Sequence, residues 1–216
     1  MSTTAVELIA AADSAAITAV MRDVLRQEAD AVLAMAAGLD AAWVAAVGVL
    51  AAVRASGGRV VISGVGKSGH VGAKMAATFA STGTPAQFIH ATEAAHGDLG
   101  MIGPRDVLLL LSTSGATTEL LPVAGFARRE GLPVLLISRD AKPALASYAS
   151  HVLRLPAVPE ACPNGQAPMT SSTAMMAAGD ALAVALMRLA GFTAEDFRRI
   201  HPGGALGASV AAADRG

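Results

Sequence analysis

The sequence predicts a three-layer α/β (αβα) domain: a five-stranded parallel, doubly wound sheet with two further helices ahead of it. Three observations predict this. Five short apolar runs recur without polar–apolar alternation, as expected of strands covered on both faces. Stretches of helical spacing separate them, and parallel strands need such crossovers. The first run ends in a Gly-rich turn, SGVGKSG (63–69), of the kind that leads a strand into a helix.

The elements follow in order. Two helices are expected at about 15–37 and 41–55. The stretch 31–53 is rich in Ala, Val and Leu and long enough to span a bilayer. However, Asp40 stands near its middle, where a carboxylate costs about 2.5–3.5 kcal/mol on insertion scales. Gly38-Leu39-Asp40 also reads as a helix stop followed by an N-cap. Two helices fit better than one span, so no membrane partner is expected. The strands are RVVIS (59–63), AQFIH (86–90), VLLLLS (107–112), PVLLIS (133–138) and HVLRL (151–155). Helical patterns fill about 67–82 and the stretch up to Glu130, and a helix at about 170–190 closes the domain. With no repeat or linker in view, residues 1–40 read as an N-terminal helical segment that packs on the domain or on a neighbouring subunit. Residues 41–212 read as the domain itself. The expected strand order is 2-1-3-4-5, flavodoxin-like.

Composition narrows the function. The chain has 216 residues, 16 Lys+Arg against 17 Asp+Glu, 53% hydrophobic and 3% aromatic residues. Disorder needs the opposite balance, and nucleic-acid binding usually needs a basic excess and stacking aromatics. No nucleic-acid partner is expected. Cys162, the single cysteine, can form neither an internal disulfide nor a Cys-based zinc site. The N-terminus carries no basic stretch of a secretory signal, so a cytoplasmic chain is expected.

In such sheets ligands bind beyond the carboxyl ends of the strands, where strand order reverses. Two loops meet there, SGVGKSG (63–69) after the first strand and STSGATT (112–118) after the third. Gly66 lets backbone approach an anion. The hydroxyls of Ser63, Ser68, Ser112, Ser114 and Thr117 and the helix N-terminal amides supply donors. Two such loops suggest a phosphate, and the scarcity of aromatics suggests that a small polar molecule carries it. Gly64-x-Gly66-x-x-Gly69 also matches the dinucleotide fingerprint, but the acid expected to hold a ribose at the end of the second strand is His90 here. A phosphate P-loop would need Gly at position 61, which is Val61.

Four further residues suit chemistry. Lys67 can neutralise a phosphate or a developing oxyanion. Glu119 follows the second loop, in the first turn of its helix. Glu160, in PEACP (159–163), is an acid at the same edge, placed for general-base work. His201 opens HPGGALG (201–207), after the last helix. Another loop histidine, His96, lies in EAAHGDLG (93–100).

The chain resembles the sugar isomerase (SIS) domain and, more closely, the arabinose 5-phosphate isomerases of the Kdo pathway. The resemblance runs from about residue 15 to 210. GVGKSGHVGAKMAATFASTGTPA (64–86), EAAHGDLGM (93–101), STSGATTE (112–119), EACPNGQAPMTSST (160–173), GDALAVALM (179–187), GFTAEDF (191–197) and HPGGALG carry it. It implies interconversion of D-arabinose 5-phosphate (A5P) and D-ribulose 5-phosphate through a cis-enediol, with no cofactor. The catalytic positions fall on Lys67, Glu119, Glu160 and His201. Substrate contacts fall on Gly83, Thr84, His90, His96 and the loop hydroxyls. His90 also matches a position where family members hold zinc as an inhibitor. A homotetramer with sites completed by a neighbouring subunit is implied. Family members commonly continue into a pair of CBS modules, which this sequence is not expected to contain. Ala116 stands where an acid often follows the loop Gly, which bears on the choice of sugar. The competing readings are a non-catalytic sugar-phosphate sensor and an isomerase of another phosphosugar, such as a hexulose 6-phosphate.

Overall fold

A computed structural model of the chain describes residues 14–140 and 144–203. Helix α1 (Ser14–Ala37) and helix α2 (Ala41–Ser56) meet at 84°. The break is local chemistry: Asp40 caps α2 by accepting the Ala42 N–H at 2.9 Å, satisfying one of the amides left open at a helix start. The apolar stretch 31–53 is therefore two helices and not one span. By length and apolarity the described helix that could cross a membrane is α6 (Thr170–Ala190). In this fold one side of α6 belongs to the core through Ala174, Met175, Ala178, Leu182 and Leu186.

Between α2 and α6 run β1 (Val60–Gly64), α3 (Gly66–Ser81), β2 (Ala86–His90), α4 (Ala91–Ala94), β3 (Val107–Leu111), α5 (Leu121–Arg129), β4 (Val134–Ser138) and β5 (His151–Arg154). All strand pairs are parallel, in the order β2-β1-β3-β4-β5. The predicted order and all five strands are present, each within a residue or two of its expected limits. The absence of alternation has a direct cause. Val60, Ile62, Leu109, Leu111, Leu135 and Ile137 face a layer containing α2, α3 and α6. Val61, Leu108, Leu110 and Leu136 face α4 and α5 on the other side. Each fully buried Leu contributes about 2 kcal/mol of transfer free energy, so both faces select apolar residues. Helix α1 lies along α6, with Ala31 and Met35 buried.

Two differences from the sequence expectations matter below. Glu119 belongs to a 3₁₀ turn, Thr118–Leu120, that precedes α5 and is not in the helix itself. The helix closing at Ala190 is not the last: α7 (Ala194–Ile200) follows, started by a Thr193/Asp196 capping box. Seven residues are too few for an apolar period to stand out, so the box was the readable signal.

Candidate active site

The carboxyl edge of the sheet is built first by β1. Gly64 and Gly69 pack the turn against the helix: a methyl on Gly64 would sit 3.1 Å from the Ser68 carbonyl, and one on Gly69 3.1 Å from Gly64 O. Gly66 differs, having a positive φ of 55° and open space where a side chain would go. Close strand–helix packing thus explains two glycines of the motif, and access explains the third. The N-cap residue of α3 is Val65, which has no capping side chain. The first amides of this helix are left to a ligand or water. Lys67 and Ser68 lie in that first turn, with Lys67 exposed and without an ion-pair partner among the described residues. Ser63 Oγ is buried beneath the turn and has no hydrogen-bond partner among the described residues, an unusual state for a buried hydroxyl.

The second loop lies beside it, because β1 pairs with β3. Ser112 is buried, and its Oγ lies 2.6 Å from Thr117 Oγ1. Ser114 Oγ accepts the Ala116 N–H at 3.2 Å. Glu119 is exposed at the end of this loop and accepts a bond from Thr118 Oγ1 at 3.1 Å.

Glu160 arrives from the segment after β5, also at the carboxyl edge. Its Oε2 accepts the Met169 N–H at 2.8 Å and the Ser171 N–H at 3.2 Å, so the carboxylate anchors the start of α6. Its Oε1 faces Arg139 Nη1 at 3.9 Å, and the side chain is 8% exposed. Oε1 is the oxygen left for proton chemistry. Two residues on, backbone N–H groups, led by that of Ala167, hold the Cys162 thiol below its ordinary pKa.

His90 ends β2, with Nδ1 accepting the Thr92 N–H at 3.3 Å. His96 is exposed, two residues past α4. Among the described residues no group of three His, Cys, Asp or Glu side chains is placed to hold a metal.

The remaining predicted residues are elsewhere. Gly83 and Thr84 precede β2 and so lie at the amino edge, about 17 Å from the strand's other end. Gly83 has a positive φ of 89°, and a methyl there would collide with the Phe192 ring. Phe192 follows α6, which starts beside Glu160 and covers about 31 Å to reach the opposite edge. Helix α7, about 10 Å long, cannot return. His201 therefore stays on the amino side with Gly83 and Thr84. Its ring stacks on Phe197 at 3.8 Å, and Nδ1 lies 2.9 Å from Phe197 O. A carbonyl only accepts, so Nδ1 carries the hydrogen and Nε2 is the open face. The structure thus brings Lys67, Glu119, Glu160 and the two hydroxyl loops to one edge of the chain and leaves His201, Gly83 and Thr84 at the other. Residues 204–207 of HPGGALG lie outside the described residues.

Sequence reasoning missed Arg139 and Phe197. Arg139 was detectable as a charge directly after an apolar strand at the carboxyl edge. Phe197 gave no signal beyond its spacing of four from His201.

With this geometry in place, the SIS domain family model matches residues 54–185, more than half of the chain. The chain belongs to the SIS domain family. The matched range contains Lys67, Glu119 and Glu160 and stops short of His201. The chain is 52% identical over 150 residues to the arabinose 5-phosphate isomerase KdsD of Escherichia coli K12, covering 69% of this chain and 46% of that protein. It is 53% identical over 150 residues to the arabinose 5-phosphate isomerase KpsF of Escherichia coli, covering 69% and 47%. The chain thus spans about half the length of these SIS relatives. An Escherichia coli CFT073 protein solved in complex with A5P superposes with a TM-score of 0.83 at 37% identity, covering 88% of this chain and all of that one.

Proposed function

We propose that the chain is an aldose–ketose isomerase that interconverts D-arabinose 5-phosphate and D-ribulose 5-phosphate. One observation carries the reading: two Gly/Ser/Thr loops, Lys67, which has no ion-pair partner among the described residues, and the nearly buried Glu160 all lie at the carboxyl edge of the sheet, where the strand order reverses. The 112–118 loop and the open amides of α3 take the phosphate. The relatives named for this reaction and the A5P-bound structure support the choice of sugar.

In the proposed mechanism the open-chain aldose gives its C2 proton to Glu160 Oε1 and receives it back at C1, leaving the carbonyl at C2. The negative charge of the enediolate oxygen exists only near the transition state, so Lys67 beside it accelerates the step more than it tightens binding. The proton on the sugar oxygens moves through His201 Nε2, from O2 to O1. Glu119 orients a neighbouring group at the loop mouth. His201 reaches this crevice from a second copy of the chain, set with its amino edge against the first copy's carboxyl edge. Gly83, Thr84 and His201 then complete what Lys67 and Glu160 begin. A homotetramer provides such contacts, and the family resemblance supports a role in supplying Kdo synthesis in the cytoplasm.

The test is exchange of the A5P C2 proton with deuterated water, followed by NMR alongside ribulose 5-phosphate formation. Turnover with solvent exchange is expected. Saturable A5P binding without turnover would replace this reading with that of a sensor, and absence of both would reject A5P.

A further inference from the structure

We propose that Arg139 is a positioning residue that holds Glu160 in register and ties its loop to the phosphate-binding loop. The kinetic consequence rests on the isomerase reading, whereas the anchoring itself rests on contacts within the described chain.

Arg139 follows β4, the strand between those that carry the two loops. Its backbone N–H donates to Thr113 O at 2.9 Å, and Ser138 Oγ donates to the same carbonyl at 3.3 Å. The base of Arg139 is thus fixed to the 112–118 loop. Its side chain reaches the other way, donating from Nη1 to Val158 O at 3.4 Å and facing Glu160 Oε1 at 3.9 Å. The segment from 155 to 169 has no helix or strand of its own. Leu155 N–H bonds Ser138 O at 2.9 Å where it begins, and Ala161 N–H bonds Thr170 Oγ1 at 2.9 Å further along. Between these ties, Arg139 contacts the chain at Val158 and the Glu160 carboxylate, whose other oxygen accepts the Met169 and Ser171 N–H groups.

The arrangement grips Glu160 from both sides, with α6 amides on Oε2 and a guanidinium on Oε1. A nearly buried carboxylate needs such partners. The Arg139 side chain is 38% exposed, so the pair adds little to global stability. Its effect is on placement, since a reacting group displaced by about 1 Å loses about 100-fold in rate. Both contacts come from one nitrogen, Nη1. Lys in its place keeps the charge but lacks the planar guanidinium that fixes the direction of that nitrogen between Val158 O and Glu160.

The experiment compares the full chain with Arg139→Ala and Arg139→Lys. Turnover of A5P is measured alongside amide hydrogen exchange on peptides spanning 158–173. In Arg139→Ala, kcat is expected to fall about 100-fold while KM moves less than about threefold. Melting is expected to shift by less than about 4 °C. Exchange over 158–173 is expected to speed up about tenfold, with β1 and β3 unchanged. Arg139→Lys recovers about tenfold of the lost rate. Unchanged exchange in Arg139→Ala overturns the anchoring role, whatever the kinetics. Equal kcat in all three chains, or a fall matched by lost melting temperature, overturns the positioning role. If the unaltered chain does not turn over A5P but exchange responds as expected, the isomerase reading fails and the anchoring role stands.

Discussion

The amino and carboxyl edges of the sheet treat polar groups in opposite ways. At the amino edge the buried Asp106 carboxylate accepts the Arg59 and Gly103 N–H groups, each at 2.8 Å, and faces Arg59 Nη2 at 3.4 Å. Arg59 in turn donates to Gln87 Oε1 at 3.0 Å and to Met101 O at 2.9 Å. Both Asp106 oxygens and both terminal nitrogens of Arg59 have partners within the chain. At the carboxyl edge, among the described residues, Lys67 has no ion-pair partner, Ser63 Oγ is buried without a hydrogen-bond partner, and Gly66 opens onto empty space. A closed polar network stabilises and specifies a fold, whereas groups left open at a cleft are available to a ligand. The same two loops would be unremarkable turns if their donors were satisfied as those around Asp106 are.

This contrast can be broken by mutation, and the largest effect should come from the carboxyl edge. Glu160→Gln keeps an oxygen for the α6 amides but removes the base, so kcat for A5P is expected to fall about 1000-fold with melting nearly unchanged. Unaltered turnover would remove Glu160 from the proton transfer. The next test joins the two edges. Glu160→Gln and His201→Ala chains, each inactive alone, should recover roughly a quarter of full activity when co-assembled, because a symmetric oligomer pairs intact edges at random. No recovery would mean that His201 serves its own chain's crevice.

The amino edge should respond in stability and not in chemistry. Asp106→Ala strands two backbone N–H groups and is expected to cost about 3 kcal/mol in urea unfolding, with kcat of the folded fraction preserved. The smallest effect concerns α7, which presents His201. The Thr193 backbone N–H and hydroxyl hold the Asp196 carboxyl below its ordinary range. A depressed carboxylate stabilises the folded chain fully above about pH 4, and that contribution is lost as pH falls through the lower folded value. The stability gap between the unaltered chain and Asp196→Asn should therefore be present at neutral pH and close in acid. A gap that widens in acid would contradict the capping role.

How much of this was legible in advance depended on the range of the interaction. The Leu-rich β3 and β4 announced themselves because burial on both faces acts residue by residue. The α1–α2 break was readable because Gly38 and Asp40 act on their own neighbours. Helix α7 was missed because its seven residues show no period, although its capping box was in plain view. Lys67 and the hydroxyls of the two loops could be placed at one crevice once the strand order was expected.

The sequence by itself determined the five strands, the turn chemistry after β1 and β3, and the family, because these depend on local period, local hydrogen bonding and motif. Only the tertiary structure decided that Glu160 is clasped between α6 amides and Arg139. It also decided that Gly83 and His201 stand a full strand length from Lys67. Those outcomes depend on where a 31 Å helix begins and ends relative to the sheet. That placement is set by packing between residues far apart in the chain, which no local pattern encodes.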